Sequence, residues 1–303
     1  MNSYDTLILG AGIAGITAGI YLKRSNLKSL VLDKGAPGGK LNNIHRIDNY
    51  PGTAKIAGPD LAMSLYTQAN ELGVEFGYGS VYEVRKVDEG FLIKTDSGDY
   101  LAKTVIVATG VENKKLGIPG EDSHIGRGVS YCATCDGNFF KGKEVVVIGN
   151  ADHAVEDAIY LSSICAKVHL FHPAPLETTE AHEAEIRSLE NVEIKAIDKA
   201  LSIEGEVLVE KLIYEENGEK KEIETSAVFP LYGEKSSSAF LSPLGVETNK
   251  GFIKVDAEMK TNVPGVYACG DIIDKKLRQL VNAAGEASVA ATSAIAYVHS
   301  LRK

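Results

Sequence analysis

Short apolar runs broken by glycine turns alternate with helical spacings along this chain, and the alternation restarts midway. Residues 6–10 (TLILG) read as a buried strand, 13–24 as a helix entered through a glycine turn, and 29–33 (SLVLD) as a second strand ending on Asp33. From 81 to 110 the spacing shortens. VYEVRKV, FLIKTDSG and YLAKTVIVATG, separated by turns at Glu89-Gly90 and Ser97-Gly98, predict a three-stranded meander whose last run is apolar enough to be buried on both faces. At 143 the opening pattern returns: strand EVVVIG, a helix over about 153–165, then strand KVHLF. Hairpin-like segments with turns at Glu204-Gly205 and Asn217-Gly218 follow, and SAVFPLYG (226–233) repeats the character of TVIVATG. The tail adds a strand GFIKVD, the run VPGVYACGD and a small-residue helix over about 280–299. The chain reads as two similar α/β halves, with candidate crossings at 117–128 and 235–243.

The length of 303 residues suits two cores rather than one. A net charge of −9 with no basic stripe excludes a phosphate-tracking nucleic-acid binder. The four cysteines, at 132, 135, 165 and 269, are too few for a disulfide scaffold, so a reducing, cytoplasmic setting is expected. The apolar start lacks the basic segment of a secretion signal, and cleavage there would remove the first glycine turn. No apolar stretch of spanning length free of glycine occurs, so no membrane helix is expected.

Two motifs carry chemistry. Gly10-x-Gly12-x-x-Gly15 lies between a strand and a helix, with Asp33 closing the next strand. Glycines there permit a tight turn, close approach of a pyrophosphate to the backbone and close packing of helix on strand, and the acid can bind a ribose hydroxyl. The second motif is Cys132-Ala-Thr-Cys135-Asp136-Gly137. Two cysteines at this spacing can close a small disulfide, and the acid beside them can exchange protons with a departing thiol, or simply cap a helix. A zinc site would need four ligands, and Cys165, Cys269, His169 and His172 are not spaced to complete one; no metal is expected. Cys165 and Cys269 read as small buried apolar residues.

Taken together, GAGIAG with Asp33, Gly38-Gly39-Lys40, Asp48-Asn49-Tyr50-Pro51-Gly52, ATG at 108–110, CATCDG, Gly265-Val-Tyr-Ala-Cys-Gly270-Asp271 and Arg278-Gln279 resemble the low-molecular-weight thioredoxin reductases over nearly the whole chain. The resemblance implies an α/β fold of two Rossmann-like (three-layer ββα) nucleotide-binding domains, the second inserted into the first: an FAD-binding domain over 1–114 and 245–303, and a redox-disulfide domain over 115–244. It implies FAD held by Gly10, Gly12, Ile13, Ala14 and Gly15, by Asp33 and Lys34, by Gly39, Lys40 and Leu41, by Asn49 and Val81, by Ala108, Thr109 and Gly110, and by Gly270, Asp271, Arg278, Gln279 and Leu280. It also implies a catalytic set of Cys132, Cys135 and Asp136. Cys135 would take electrons from the flavin, and Cys132 would attack the disulfide of a thioredoxin-like partner after a domain rotation. A homodimer is implied in the same way.

One part of the pattern departs. NADPH-dependent members of the family carry GGGxxA and then HRRxxxR, whose arginines hold the 2′-phosphate. Here the positions read Gly149-Asn150-Ala151-Asp152-His153-Ala154 and His172-Pro173-Ala174-Pro175-Leu176-Glu177. A methyl stands at the closest backbone approach and the arginines are gone. Two lost charge-assisted bonds at roughly 1.5–3 kcal/mol each would weaken 2′-phosphate binding by about a hundredfold to ten-thousandfold. This departure resembles the pyridine-nucleotide-independent branch, some of whose members draw on reduced ferredoxin. Lys141, Lys143 and Arg127 flank the redox motif and could meet an acidic donor. Two other readings stay open: an FAD-dependent dithiol oxidase running the same parts backwards, and a flavin redox sensor that does not turn over.

Overall fold

The computed structural model describes every residue except Met1, His45, Ser237 and Lys303, and the chain divides into two compact units, Met1–Glu112 with Ser236–Lys303, and Asn113–Lys235. In the first unit β1 (Asn2–Leu9), α1 (Ile13–Arg24) and β2 (Ser29–Asp33) form the opening read from sequence. They are followed by α2 (Gly58–Glu71), β3 (Glu75–Tyr78) and the meander β4 (Val81–Val87), β5 (Gly90–Thr95) and β6 (Gly98–Val107). The sheet runs β3-β2-β1-β6-β5-β4. Parallel pairing of Leu9 with both Leu32 and Val107 brings the ends of three strands, and the turns that leave them, to one edge.

A short strand β7 (Val111–Asn113) leads into the second unit, whose first α-helix is α3 (Ala133–Asp136). Then come β8 (Glu144–Ile148), α4 (Asp152–Ser162), β9 (Lys167–His172), α5 (Glu180–Ser188) and β10 (Val192–Ala196). The antiparallel β11 (Lys199–Glu204), β12 (Lys211–Glu216) and β13 (Glu219–Glu224) precede β14 (Ala227–Pro230). β14 pairs parallel with β8, Ala227 against Val145, in the place that β6 holds beside β1, so the internal repeat is structural as well as sequential. In the parallel sheet β10-β9-β8-β14 the strands β9, β8 and β14 are buried between two apolar layers, one led by Val145, Val147 and Phe229, the other by Val146, Ile148 and Phe171, and β10 is a half-buried edge.

The return to the first unit passes through β15 (Glu234–Ser236), β16 (Thr248–Asn249), β17 (Phe252–Ile253), β18 (Val266–Ala268) and α6 (Leu280–Ser300). β18 joins the sheet parallel to β6. Alanines 283, 287, 290, 291 and 294 line the buried face of α6, and their small size lets it pack closely on α1.

Three expectations need correction. The 117–128 stretch is not a crossing: Glu121, 1% exposed, accepts hydrogen bonds from the amides of Leu116 (2.9 Å) and Gly117 (2.8 Å) and from the Tyr131 hydroxyl (2.8 Å), which fixes it inside the second unit. The second boundary falls at 235/236 rather than 244/245, because Leu241 is buried with Val84, Phe91 and Ile93 in the first unit's core, and the first falls at 112/113 rather than 114/115. The expected strand GFIKVD is cut to Phe252–Ile253, since Asp256 accepts from the amides of Glu258 and Lys260 and turns the chain out of the sheet. Among the described residues no helix is long and apolar enough to cross a membrane.

Candidate cofactor and redox sites

The three glycines of the first turn serve different ends. Gly10 has φ +108°, and a Cβ there would lie 2.3 Å from the Ala108 carbonyl oxygen; a Cβ on Gly15 would lie 1.7 Å from the oxygen of Gly10. Both are demanded by the fold itself. Around Gly12 nothing lies within 4 Å of the place a Cβ would take, so this glycine leaves open space at the start of α1. That helix start has no side-chain cap and no acid in its first turn, and Ile13 and Ala14 continue it into the core. Its amides and dipole suit an anion.

The neighbouring turns close on the same edge. Asp33 accepts the Ala11 amide at 2.6 Å through Oδ2 and the Gly35 amide at 2.8 Å through Oδ1. The acid expected to bind ribose therefore also ties the glycine turn, with lone pairs left to receive a hydroxyl. Gly39 comes within 3.4 Å of the Gly12 Cα, measured from the position of its would-be Cβ, and Gly38 donates to the Ala11 carbonyl at 2.7 Å. Lys40 stands 4.0 Å from Asp271, whereas the Leu41 side chain is in the core, leaving only its backbone for a ligand. Lys34 pairs with Glu112 at 2.8 Å on the surface. Gly79 donates to the Asp33 carbonyl at 2.9 Å, which brings Val81, at the start of β4, near the end of β2.

Ala108 donates to the Leu9 carbonyl at 2.7 Å, and the next residue, Thr109, has a buried hydroxyl without a hydrogen-bond partner. Gly110 follows with φ +64° and nothing within 4 Å of a would-be Cβ. From the C-terminal segment, Gly270 approaches α1, its would-be Cβ 3.1 Å from that of Ala14. Gln279 occupies the cap position of α6, ahead of Leu280, and accepts from Asn49 at 2.9 Å. Arg278, expected beside the flavin, lies with its guanidinium 4.4 Å over the Phe252 ring and its Nε 3.4 Å from the Asp271 carbonyl. The open Gly12, the orphaned Thr109 hydroxyl and two helix starts without capping side chains fit a dinucleotide with an anionic centre.

Sequence reading missed two supports of this cradle. Glu286 on α6 accepts the Gly270 amide at 3.0 Å, and Lys275 donates to Glu286 at 2.7 Å while standing 3.9 Å from Asp271. A lone acid on an otherwise small-residue helix was the available signal. Cys269, enclosed beside them, is pushed up to about 12 by burial, with Glu286 adding to the shift, and Cys165 is pushed up to about 11 by burial, so neither thiol ionises at neutral pH.

In the second unit Cys132 and Cys135 form a disulfide with Cα atoms 5.3 Å apart. Cys132 occupies the cap position of α3, where its Sγ accepts the Cys135 amide at 3.2 Å and lies 3.4 Å from the Thr134 hydroxyl. Asp136 is on the same turn and takes a hydrogen bond from Ser130. It is the last residue of α3 and stands at the cap position of the 3-10 turn Gly137–Phe140, where its side chain makes no capping bond.

At the β8–α4 turn the 173–179 segment is tied to the chain by hydrogen bonds, while Asn150, Ala151 and Asp152 stay half-buried and His153 exposed. A Cβ on Gly149 would strike the Leu231 carbonyl at 2.4 Å, so that glycine is retained for packing. Over the turn, Glu177 donates to the Asn150 carbonyl at 2.7 Å and bridges Ala151, and Asn150 donates to the Pro175 carbonyl at 3.3 Å. Asp152, the first residue of α4, accepts from the Thr178 hydroxyl at 2.5 Å, the Thr179 amide at 3.1 Å and His182 at 2.8 Å. A carboxylate therefore stands at the first position of α4, with the 173–179 strap bonded beside it. His172 faces the Ala174 carbonyl at 3.0 Å and Lys167 pairs with Glu193 at 3.1 Å, so neither stands in for the missing arginines.

The latch carries a pH signature. The hydrogen bonds from Thr178 and His182 lower Asp152 to about 2, and the bond to Asp152 raises His182 above its ordinary 6.5. A lowered carboxylate contributes above its unfolded value and is lost as pH falls through about 2; a raised histidine contributes below 6.5 and is lost as pH rises through its higher folded value. The strap is therefore tightest from about pH 4 to 6.5. Hydrogen exchange of the Glu177 and Thr179 amides, corrected for intrinsic rate, is expected to speed up between pH 6.5 and 9, and a pH-independent protection would contradict the latch.

Comparison with known proteins agrees with this geometry. A family profile for pyridine nucleotide-disulphide oxidoreductases matches residues 4–287. A thioredoxin reductase of Bacillus subtilis is 40% identical over 307 aligned positions, covering 99% of this chain and 96% of its own length. The crystal structure of thioredoxin reductase from Streptococcus pyogenes superimposes with a TM-score of 0.94 at 37% identity, covering 98% of this chain and 99% of that one. A ferredoxin-flavin thioredoxin reductase from Clostridium acetobutylicum matches at TM-score 0.57 and 30% identity, covering 100% and 99%. The chain belongs to the pyridine nucleotide-disulphide oxidoreductase family. Within it the chain groups with the thioredoxin reductases, flavoprotein oxidoreductases that act on a sulfur group and carry FAD.

Proposed function

We propose that this protein reduces the disulfide of a thioredoxin-like partner through Cys132, Cys135 and Asp136, with FAD in the first unit and an electron donor other than NADPH. The observation that carries the donor reading is the strap: Glu177 bonded to Asn150, and Asp152 bonded to Thr178, at the turn a nicotinamide cofactor would need. Ferredoxin is the donor class favoured, consistent with the 30% identity to the Clostridium acetobutylicum protein and with exposed Lys141, Lys143 and Arg127, which suit an acidic surface. The working form is a homodimer, as the family resemblance implies.

Bound FAD supplies the electron pair that opens the Cys132–Cys135 disulfide. In the reduced pair Cys132 is the thiolate and Cys135 the thiol, with Asp136 protonated. Attack by Cys132 breaks the partner's S–S bond and forms a mixed disulfide, and the leaving thiolate takes the Asp136 proton. Asp136 then accepts the Cys135 proton, Cys135 attacks the Cys132 sulfur, and the second partner thiolate leaves and is protonated in turn. The enzyme disulfide is restored and the partner carries away two electrons and two protons.

The test supplies electrons without a natural donor. Protein reduced by dithionite under argon, freed of excess reagent and mixed with a thioredoxin disulfide, is expected to yield partner thiols while the flavin reoxidises. Reduced protein that keeps its electrons until oxygen is admitted, and then yields peroxide, would replace the reductase reading with that of a dithiol oxidase.

A further inference from the structure

We infer that Ser130 is a positioning residue for the proton-transfer acid of the exchange step, a role that rests on the proposed part of Asp136. Ser130 is 6% exposed, and its amide donates to the Val228 carbonyl of β14 at 3.1 Å, which anchors it to the parallel sheet. Its hydroxyl lies 2.5 Å from Asp136 Oδ2, 3.1 Å from the Cys132 amide and 3.4 Å from the Cys132 carbonyl oxygen. A serine hydroxyl has a single proton to give. The shortest contact is to the carboxylate, an acceptor when ionised, so the proton points to Asp136. The Cys132 N–H then donates to a lone pair on Ser130 Oγ, and the long contact to the Cys132 carbonyl carries no bond.

The polarity therefore runs in one direction, from the Cys132 amide to Ser130 and from Ser130 to Asp136. This joins the backbone of the attacking cysteine to the acid that serves its leaving group through one buried atom, itself fixed to the sheet. The disulfide opens and closes in every cycle, and with it goes whatever position the two sulfurs lend the short α3. The Ser130 bonds do not involve either sulfur, so they hold the acid and the Cys132 backbone in register in both redox states. Because the hydroxyl bonds the ionised carboxylate, it also sets the pH at which Asp136 yields its proton.

The experiment follows single-turnover reduction of a thioredoxin disulfide by dithionite-reduced protein, across pH, in Ser130→Ala, Ser130→Thr, Asp136→Asn and the double variant S130A/D136N. Thermal melting and flavin absorbance confirm that each is folded and loaded. Loss of a hydrogen bond to a charged group is expected to slow exchange in Ser130→Ala by about tenfold to a hundredfold. The limb of the profile where Asp136 loses its proton should move to higher pH. Ser130→Thr, which keeps the hydroxyl, should restore both, and Ser130→Ala should cost nothing further once Asp136 is Asn.

An Asp136→Asn protein that exchanges like the wild type would remove the acid role on which the inference rests. A slow Asp136→Asn beside an unimpaired Ser130→Ala would overturn the positioning role alone. So would a Ser130→Ala defect that is undiminished in the Asp136→Asn background, since it would then act through something other than the acid.

Discussion

Replacing Cys135 by serine leaves FAD in place and lowers disulfide reduction by about three orders of magnitude or more, and replacing Cys132 does the same. An alcohol neither forms a disulfide nor serves as a leaving sulfur, so each substitution removes a bond that the cycle must make and break. The other two cysteines offer no bypass. Cys165 and Cys269 are buried, with thiols pushed up to about 11 and about 12. The check is a single-turnover assay on dithionite-reduced protein, scored by partner thiols. Cys132→Ser retaining more than about a tenth of the wild-type rate would mean that electrons reach the partner by a route outside this pair, and the relay would have to be abandoned.

The second large effect separates binding from folding. Gly12→Val is expected to give a folded protein that has lost its flavin, because Gly12 has φ −72° and nothing within 4 Å of a would-be Cβ. The side chain fills the space that a pyrophosphate needs, and two forfeited charge-assisted hydrogen bonds at roughly 1.5–3 kcal/mol each lower FAD affinity by about a hundredfold or more. Gly15→Val acts otherwise: its Cβ would fall 1.7 Å from the Gly10 oxygen, and the first unit should fail to assemble. Far-UV circular dichroism with flavin absorbance distinguishes the two outcomes. A yellow, fully loaded Gly12→Val protein would move the cofactor away from this turn.

The strands and helices around the two glycine turns were legible because their apolar runs are continuous and their breaks are glycines. Elements with little to bury were not. α2 buries only Gly58, Leu61, Ala62 and Ala69, α5 only Ile186, and β3 is a four-residue edge strand with none of its residues fully buried, so hydrophobic spacing carried almost no signal for them. The 117–128 stretch reads as a crossing in the sequence, and the structure shows that it is not. What holds it is the buried carboxylate of Glu121, whose partners are backbone amides that no spacing rule exposes. At the sites, the residues expected to hold FAD and the cysteine pair stand out in the sequence through family-like motifs. Those that act one bond further out, Ser130, Glu286 and Lys275, did not, because their meaning lies in a contact rather than a pattern. The altered nucleotide turn was readable from Ala151 and the missing arginines. That residues 173–179 are tied to it depends on the bond from Glu177 to Asn150, which only the fold supplies.

The most direct test of the account is an anaerobic titration of the flavin absorbance with NADPH, NADH and reduced ferredoxin in parallel. With Ala151 at the turn, Asp152 bonded to the strap and no arginine fork after β9, the flavin should stay oxidised in NADPH at concentrations well above micromolar and bleach on stoichiometric addition of reduced ferredoxin. Full bleaching by micromolar NADPH would contradict the account, because it would mean that the strap opens readily and that the second unit still receives a dinucleotide.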